Sequence, residues 1–194
     1  MNKKILINFV LLFFIVYLTG CDCVKSTQLV GERTQEDLSK QFNGVWDFDA
    51  SFGYVKFLQK GELRLAGVDW ENNNFHVSRS LAIITECGDK KFINFKDPEI
   101  EEGEGLEYFF MHYSFIAENQ LIMWLPKSKI FQKAVSEKVL KGKMKKVDFS
   151  TVVSINEPKG SLCGFIQDKG IEEVFDLEEP IIIEKIKELN GVAR

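Results

Sequence analysis

Two histidines and four cysteines are the side chains of this chain best suited to nucleophilic, acid–base or metal chemistry. Neither His76 nor His112 has a second histidine or a cysteine at ligand spacing, so the pattern gives no support to a zinc site. His112 sits inside the apolar run from Tyr108 to Ile116, where a hydrogen-bonded, buried imidazole is expected rather than a catalyst. Glu99, Glu101, Glu102, Glu104 and Glu107 crowd one loop. They lack the alternating Asp/Asn ligands and fixed glycine of a calcium loop, and a solvated surface is the reading. Asp47 and Asp49 share a strand face and could form a carboxylate pair, but alternation turns that face outward, and solubility explains them. Lys138, Lys141, Lys143, Lys145 and Lys146 follow a helix, where positive charge complements the dipole. The same patch suits anionic lipid headgroups or an acidic partner. There is no G-x-S-x-G, phosphate loop or dinucleotide fingerprint. The expectation is a protein that is not an enzyme and holds no cofactor and no metal. Aromatics interleaved with basic residues are not evident, so no nucleic acid is expected as partner.

The most specific stretch is the first one. Asn2-Lys3-Lys4 is a short positive segment, and Ile5 to Leu18 is apolar except for Asn8. This is the layout of a secretory signal. It is shorter than the roughly 20 apolar residues of a comfortable membrane span. It ends in Leu18-Thr19-Gly20-Cys21, which resembles the lipobox of bacterial lipoproteins. The resemblance implies that Cys21 is the lipidated residue, diacylated through its sulfur. It also implies cleavage just before Cys21, with Leu18, Thr19 and Gly20 as the signal-peptidase recognition residues. The new amino terminus is often acylated too. The implied localisation is a bacterial membrane, lipid-anchored and facing the periplasm or the outside, with inner and outer membrane both open. In enteric-type members an aspartate in the place of Asp22 implies retention at the inner membrane. An ordinary signal peptide, or an uncleaved anchor, is the alternative.

The expected organisation is therefore a signal peptide over 1–20, a lipidated tether over 21–35 and a single β-rich domain over 36–194. That remainder is long enough for a real hydrophobic core. The chain's formal charge is −4, and loss of Lys3 and Lys4 makes the mature protein more acidic, with no global pull toward nucleic acid or anionic lipid. Seventeen phenylalanines favour a β-rich core. Export permits disulfides. With Cys21 lipidated and Cys23 in a tether, Cys87 and Cys163 are the expected pair, and buried free thiols are the alternative.

Along the chain, Thr34 to Phe42 reads as a short helix capped by Thr34, with Leu38 and Phe42 inward. Gly44 to Asp49 alternates as a half-buried strand. A second strand runs from Tyr54 to Gln59, and Lys60-Gly61 turns tightly. Leu63 and Leu65 continue; a slip of phase at Gly67 predicts a bulge that brings Val68 and Trp70 inward. Phe75, Val77, Leu81 and Ile83 form the expected inner face of the next strand. Phe92 to Phe95 is a short strand, and Tyr108 to Ile116 is apolar on both faces, as is Leu121 to Leu125. Ser128 to Leu140 has helical spacing. Val147 to Ile155 alternates strictly and reads as the last strand. Ser161 to Lys169 is a short helix closed by Gly170, and Ile181 to Ile183 begins a terminal helix. The sum is a mainly β fold. It is an antiparallel meander of about eight strands, closed into a barrel or sandwich, with one helix before the last strand and short terminal helices.

Gly44-Val45-Trp46, after a short helix and opening a strand, is similar to the G-x-W signature of lipocalins, as is a helix over Ser128 to Leu140 behind the seventh strand. That resemblance implies a barrel binding a small apolar ligand, with Trp46 across its base. The chain has no T-D-Y-like triplet, and no arginine stands on the strand read as the last. Two functions are thus expected: a lipid-anchored envelope protein with a non-catalytic interaction domain and a protein partner, or a lipocalin-like binder of a small apolar ligand. An internal cavity lined by phenylalanines discriminates between them.

Overall fold

The computed structural model describes residues 22–48, 52–71, 74–97 and 105–186; of residues 69–71 and 74–76 only the backbone is described. Its frame is a closed barrel of eight antiparallel strands: β3 (Gly44–Asp47), β4 (Phe52–Phe57), β5 (Glu62–Glu71), β6 (Asn74–Cys87), β7 (Lys90–Lys96), β8 (Tyr108–Ala117), β9 (Gln120–Trp124) and β12 (Ile181–Lys185). Seven of them follow one another as a meander. After β9 the chain leaves the barrel and returns only at β12, which closes the ring between β9 and β3. Ile181–Lys185 is thus the closing strand, not the start of a terminal helix. A residue triplet without alternating polarity does not separate the two, and only the open edges of β3 and β9 decide it.

The excursion builds a layer on the outside of the barrel. It contains α2 (Ser128–Ser136), the hairpin β10 (Gly142–Val147) and β11 (Ser150–Ile155), α3 (Ser161–Lys169) and α4 (Ile171–Val174). The strand expected over Val147 to Ile155 is cut by a turn at Asp148-Phe149, and the lysine-rich segment before it is a strand. Asp148 adopts φ 52°, a left-handed conformation that Asp tolerates, and this reverses the chain.

Residues 22–35, expected as a free tether, are instead part of the fold. β1 (Cys23–Ser26) pairs in parallel with β11 and, at its end, with Tyr108 and Phe109 of β8. A two-residue strand, β2 (Glu32–Arg33), pairs with β6. Between them the chain crosses the outer face of β6 and β7. Asn94, fully buried, accepts from the Val30 N–H at 2.9 Å and donates to the Ile83 carbonyl at 3.1 Å and to Thr85 Oγ at 2.8 Å. Polar residues without apolar period carry no amphipathic signal, so backbone pairing of this kind is invisible to pattern reading. The helix expected from Thr34 is α1 (Ser39–Phe42). Its first N–H is bound by Asp37 at 2.9 Å, while Thr34 is buried against Glu86.

Two apolar cores result. The first fills the barrel and includes Trp46, Val55, Leu63, Leu65, Ile84, Ile93, Met111, Tyr113, Leu121, Met123 and Ile183. The second lies between the outer wall of β7–β8 and the added layer, with Phe92, Phe110, Phe131, Ile155, Phe165 and Phe175. β8 is apolar on both faces because it serves both. β5 pairs with both neighbours in unbroken register, so Gly67 faces inward without a bulge and Val68 faces solvent. On β6 the inner face is Ser78, Ala82 and Ile84, and Val77 points out; Ile83, on the outer side, is buried. There the crossing segment 27–34 covers the strand end, which gives it two apolar faces and misleads the phase.

Candidate functional site

Gly44 and Trp46 sit where β3 leaves α1, at the base of the barrel. The Trp46 indole is buried and its Nε1–H donates to the Phe42 carbonyl at 2.8 Å. Lys185, the last residue of β12, lies over the ring at 6.0 Å from its centroid. Its ammonium donates to the carbonyls of Lys40 and Gln41 at 3.1 and 3.3 Å, the free carbonyls at the end of α1. A cation on the final strand therefore covers the tryptophan and caps the helix. The sequence reading found no such group because it put the final strand elsewhere. Gly44 is demanded here: its φ is +146°, and a Cβ would meet Lys185 Cε at 2.5 Å.

Above this base the lumen is lined by Trp46, Phe48, Val55, Leu65, Phe95 and Met123 among other apolar side chains, with a residual cavity of about 20 Å³. That is room for about one water. Eight-stranded barrels are just wide enough to be filled by their own side chains. Two hydroxyls, Ser80 Oγ and Tyr113 Oη, are buried without a hydrogen-bond partner. Burial lifts the Tyr113 phenol well above its ordinary range, so it stays protonated.

The outer wall of the barrel is apolar on one side. Register sets Val45 beside Tyr54, and Phe52 beside Val68, which stands beside Val77. All five are at least two-fifths exposed, as is Ile186, whose N–H donates to the Val45 carbonyl at 2.8 Å. β4, at the centre of this band, stands four strands from β8 around the eight-membered ring. The band therefore faces away from the added helical layer.

Among the described residues, those singled out for chemistry do not converge. His112 is on the outer face of β8, stacked on Trp124 with centroids 5.0 Å apart. Its Nδ1 donates to the Lys91 carbonyl at 3.0 Å, and burial holds its pKa below the ordinary imidazole value. The His76 side chain, Asp49 and Glu99 to Glu104 lie outside the described residues, as do Leu18, Thr19, Gly20 and Cys21. Asp47 faces outward beside Phe52 and Glu184. Glu107 contributes its carbonyl to the Asp97 N–H at 2.9 Å. Lys138, Lys141, Lys143, Lys145 and Lys146 are exposed. Among the described residues no group of three His, Cys, Asp or Glu is placed to hold a metal ion, and no helix is long and apolar enough to cross a membrane.

Two structural linkages were not foreseen. Asp97 is buried at the end of β7 in an ion pair with Lys25 of β1, whose ammonium also lies 4.7 Å from the centre of the Phe109 ring. Asp22 accepts from the Thr151 N–H and from Gln132 Nε2, both at 2.7 Å, and from Ser128 Oγ at 3.2 Å. The Thr151 bond in particular holds its carboxyl below the usual carboxylate range. Cys87, at the base end of β6, and Cys163 of α3 form a disulfide with Cα atoms 5.7 Å apart, and Cys23 is a free thiol, half-buried. A scan of the chain against protein-family models, curated proteins and solved structures finds no match.

Proposed function

We propose that this is a lipid-anchored protein of the bacterial envelope, held through Cys21, whose barrel is a non-catalytic module for binding a protein partner. The observation that carries the reading is the apolar band Val45, Tyr54, Phe52, Val68 and Val77 on the barrel wall. Contiguous exposed apolar surface on a soluble domain marks an interaction site more often than scattered single residues do. The lipobox-like segment supplies the anchor, and among the described residues those with catalytic potential stand apart from one another.

The test is a photo-crosslinking side chain at Tyr54 in cells, with a second at Lys129 on the opposite layer. A defined adduct from position 54 that is absent from position 129, and is lost on Phe52→Glu, supports the reading. Equal labelling from both positions, or none from either, counts against it.

A second reading has its own support. The apolar lining of the lumen and the tryptophan base suit a small apolar ligand. Because the residual cavity is about 20 Å³, such a ligand would enter only if side chains such as Phe48 and Phe95 swing out. Titration with a fluorescent fatty-acid probe separates the two. Saturable binding abolished by Leu65→Trp supports the ligand reading, and no saturable binding removes it.

A further inference from the structure

We infer that the β10–β11 hairpin is a membrane-contacting finger that seats the domain directly on an anionic bilayer beside its own lipid anchor. The inference rests on the proposed lipidation of Cys21, and goes beyond it by fixing which end of the domain meets the membrane and by what contacts.

The hairpin has the composition for that contact. Phe149, at its turn, is 98 % exposed, and Val147 next to the turn and Met144 further along β10 are also exposed. Lys143, Lys145 and Lys146 are exposed on the same ribbon, against one acidic residue, Asp148. None of the three lysines is within ion-pair distance of a carboxylate among the described residues. β10 is an edge strand, paired only with β11, so the ribbon is open to what lies beside it. An apolar aromatic tip with three lysines along the adjoining strand matches the interfacial zone of a bilayer, where the ring enters the headgroup boundary and each ammonium meets anionic lipid.

The place of the anchor makes a bilayer the occupant rather than an acidic protein. Asp22 is fixed by the Thr151 N–H, and β1 runs parallel to β11 with Cys23 opposite Val152. Phe149 is two residues before Thr151. With a strand rise of about 3.3 Å and a strand spacing of about 4.8 Å, Asp22 is on the order of 10 Å from the hairpin turn. Cys21 is one peptide unit further, about 3.8 Å. A lipid on Cys21 therefore brings the bilayer to the hairpin turn with no slack between them. The segment expected to lift the domain off the membrane is locked into the sheet.

The test uses the mature chain, residues 21–194, which contains every element of the fold described above. With Cys23→Ser, it is coupled through Cys21 to maleimide-headgroup lipid in vesicles of phosphatidylcholine alone or with three parts in ten phosphatidylglycerol. This anchors the protein whether or not the cell acylates it, so failure of the lipidation reading and failure of this one are read separately. Phe149→Trp is compared with the Phe149 parent in vesicles whose lipids are brominated close to the headgroup. The expected result is that the added tryptophan emission is blue-shifted and mostly quenched. The quenching should weaken in pure phosphatidylcholine and in the Lys143→Gln, Lys145→Gln, Lys146→Gln variant. Unquenched, water-like emission in both vesicle types overturns the inference and leaves the hairpin for an acidic protein. Quenching that is indifferent to both lipid charge and the lysines overturns the charge half of it.

Discussion

Removing the Cys87–Cys163 disulfide should weaken the whole fold in a single step. The bridge spans 76 residues, from the base end of β6 to α3, and the enclosed chain contains β7 to β9, α2, β10 and β11. It therefore ties a barrel strand to the added layer across the second core, to which both cysteines belong. In the chain-entropy picture a loop of this length is worth about 4.5 kcal/mol at 25 °C, and native bridges commonly deliver a little less. Cys87→Ala with Cys163→Ala should then cost about 3–4 kcal/mol. On a domain of this size that is a fall of roughly 10 °C in Tm, or of about 1–2 M in the urea midpoint. The assay is urea unfolding followed by tryptophan fluorescence and far-UV circular dichroism, with reduced wild-type protein alongside. Reduction should reproduce the loss, since the cavity left by two sulfurs is absent there. A loss under about 1 kcal/mol would refute the argument. So would two separated transitions with the barrel's unmoved, because the layer and the barrel would then not be one cooperative unit.

Lys185→Met keeps the apolar stem but leaves the Lys40 and Gln41 carbonyls without their donor, and should cost about 1–2 kcal/mol by thermal unfolding; an unchanged Tm contradicts the role given to it. Asn94→Ala strands the Val30 N–H in a buried site, and should cost about 3 kcal/mol and speed proteolysis near residues 27–34. Asp97→Ala leaves the Lys25 ammonium without this buried carboxylate, and should cost about 3–5 kcal/mol, more than the loss of any surface pair. His112 has its pKa lowered by burial, so the unfolded chain binds a proton that the folded one resists. Stability should be level above about pH 6.5 and fall below it. In His112→Phe that part of the fall should be missing from pH-dependent urea titrations.

How much of this was legible in the sequence depended on whether a segment's partner was local. Gly44-Val45-Trp46 and Tyr108 to Ile116 carry their burial in their own residue types, and α3 carries both its apolar face and its closing Gly170. The closing strand Ile181–Lys185 has no such mark: three isoleucines fit helix or strand, and the open edges that claim it, on β9 and on β3, lie far upstream in the chain. The Lys185–Trp46 contact was unreadable for the same reason. Lys143 to Lys146 reads as a basic helix tail because its pairing with β11 needs only backbone. Cys23 to Ser26 hides equally, being four residues of mixed type held by ladders to β11 and β8. Val68 and Val77 read as core by composition, yet face out as part of the apolar band, a placement that only strand register fixes.

The central claim is that this barrel is held on a membrane through Cys21. The most direct measurement is the intact mass of the protein extracted from membranes, with and without Cys21→Ser. The account predicts loss of residues 1–20 together with added acyl mass, both abolished by the serine. An unacylated mass from the wild-type chain would contradict it and return Cys21 to the count of free thiols.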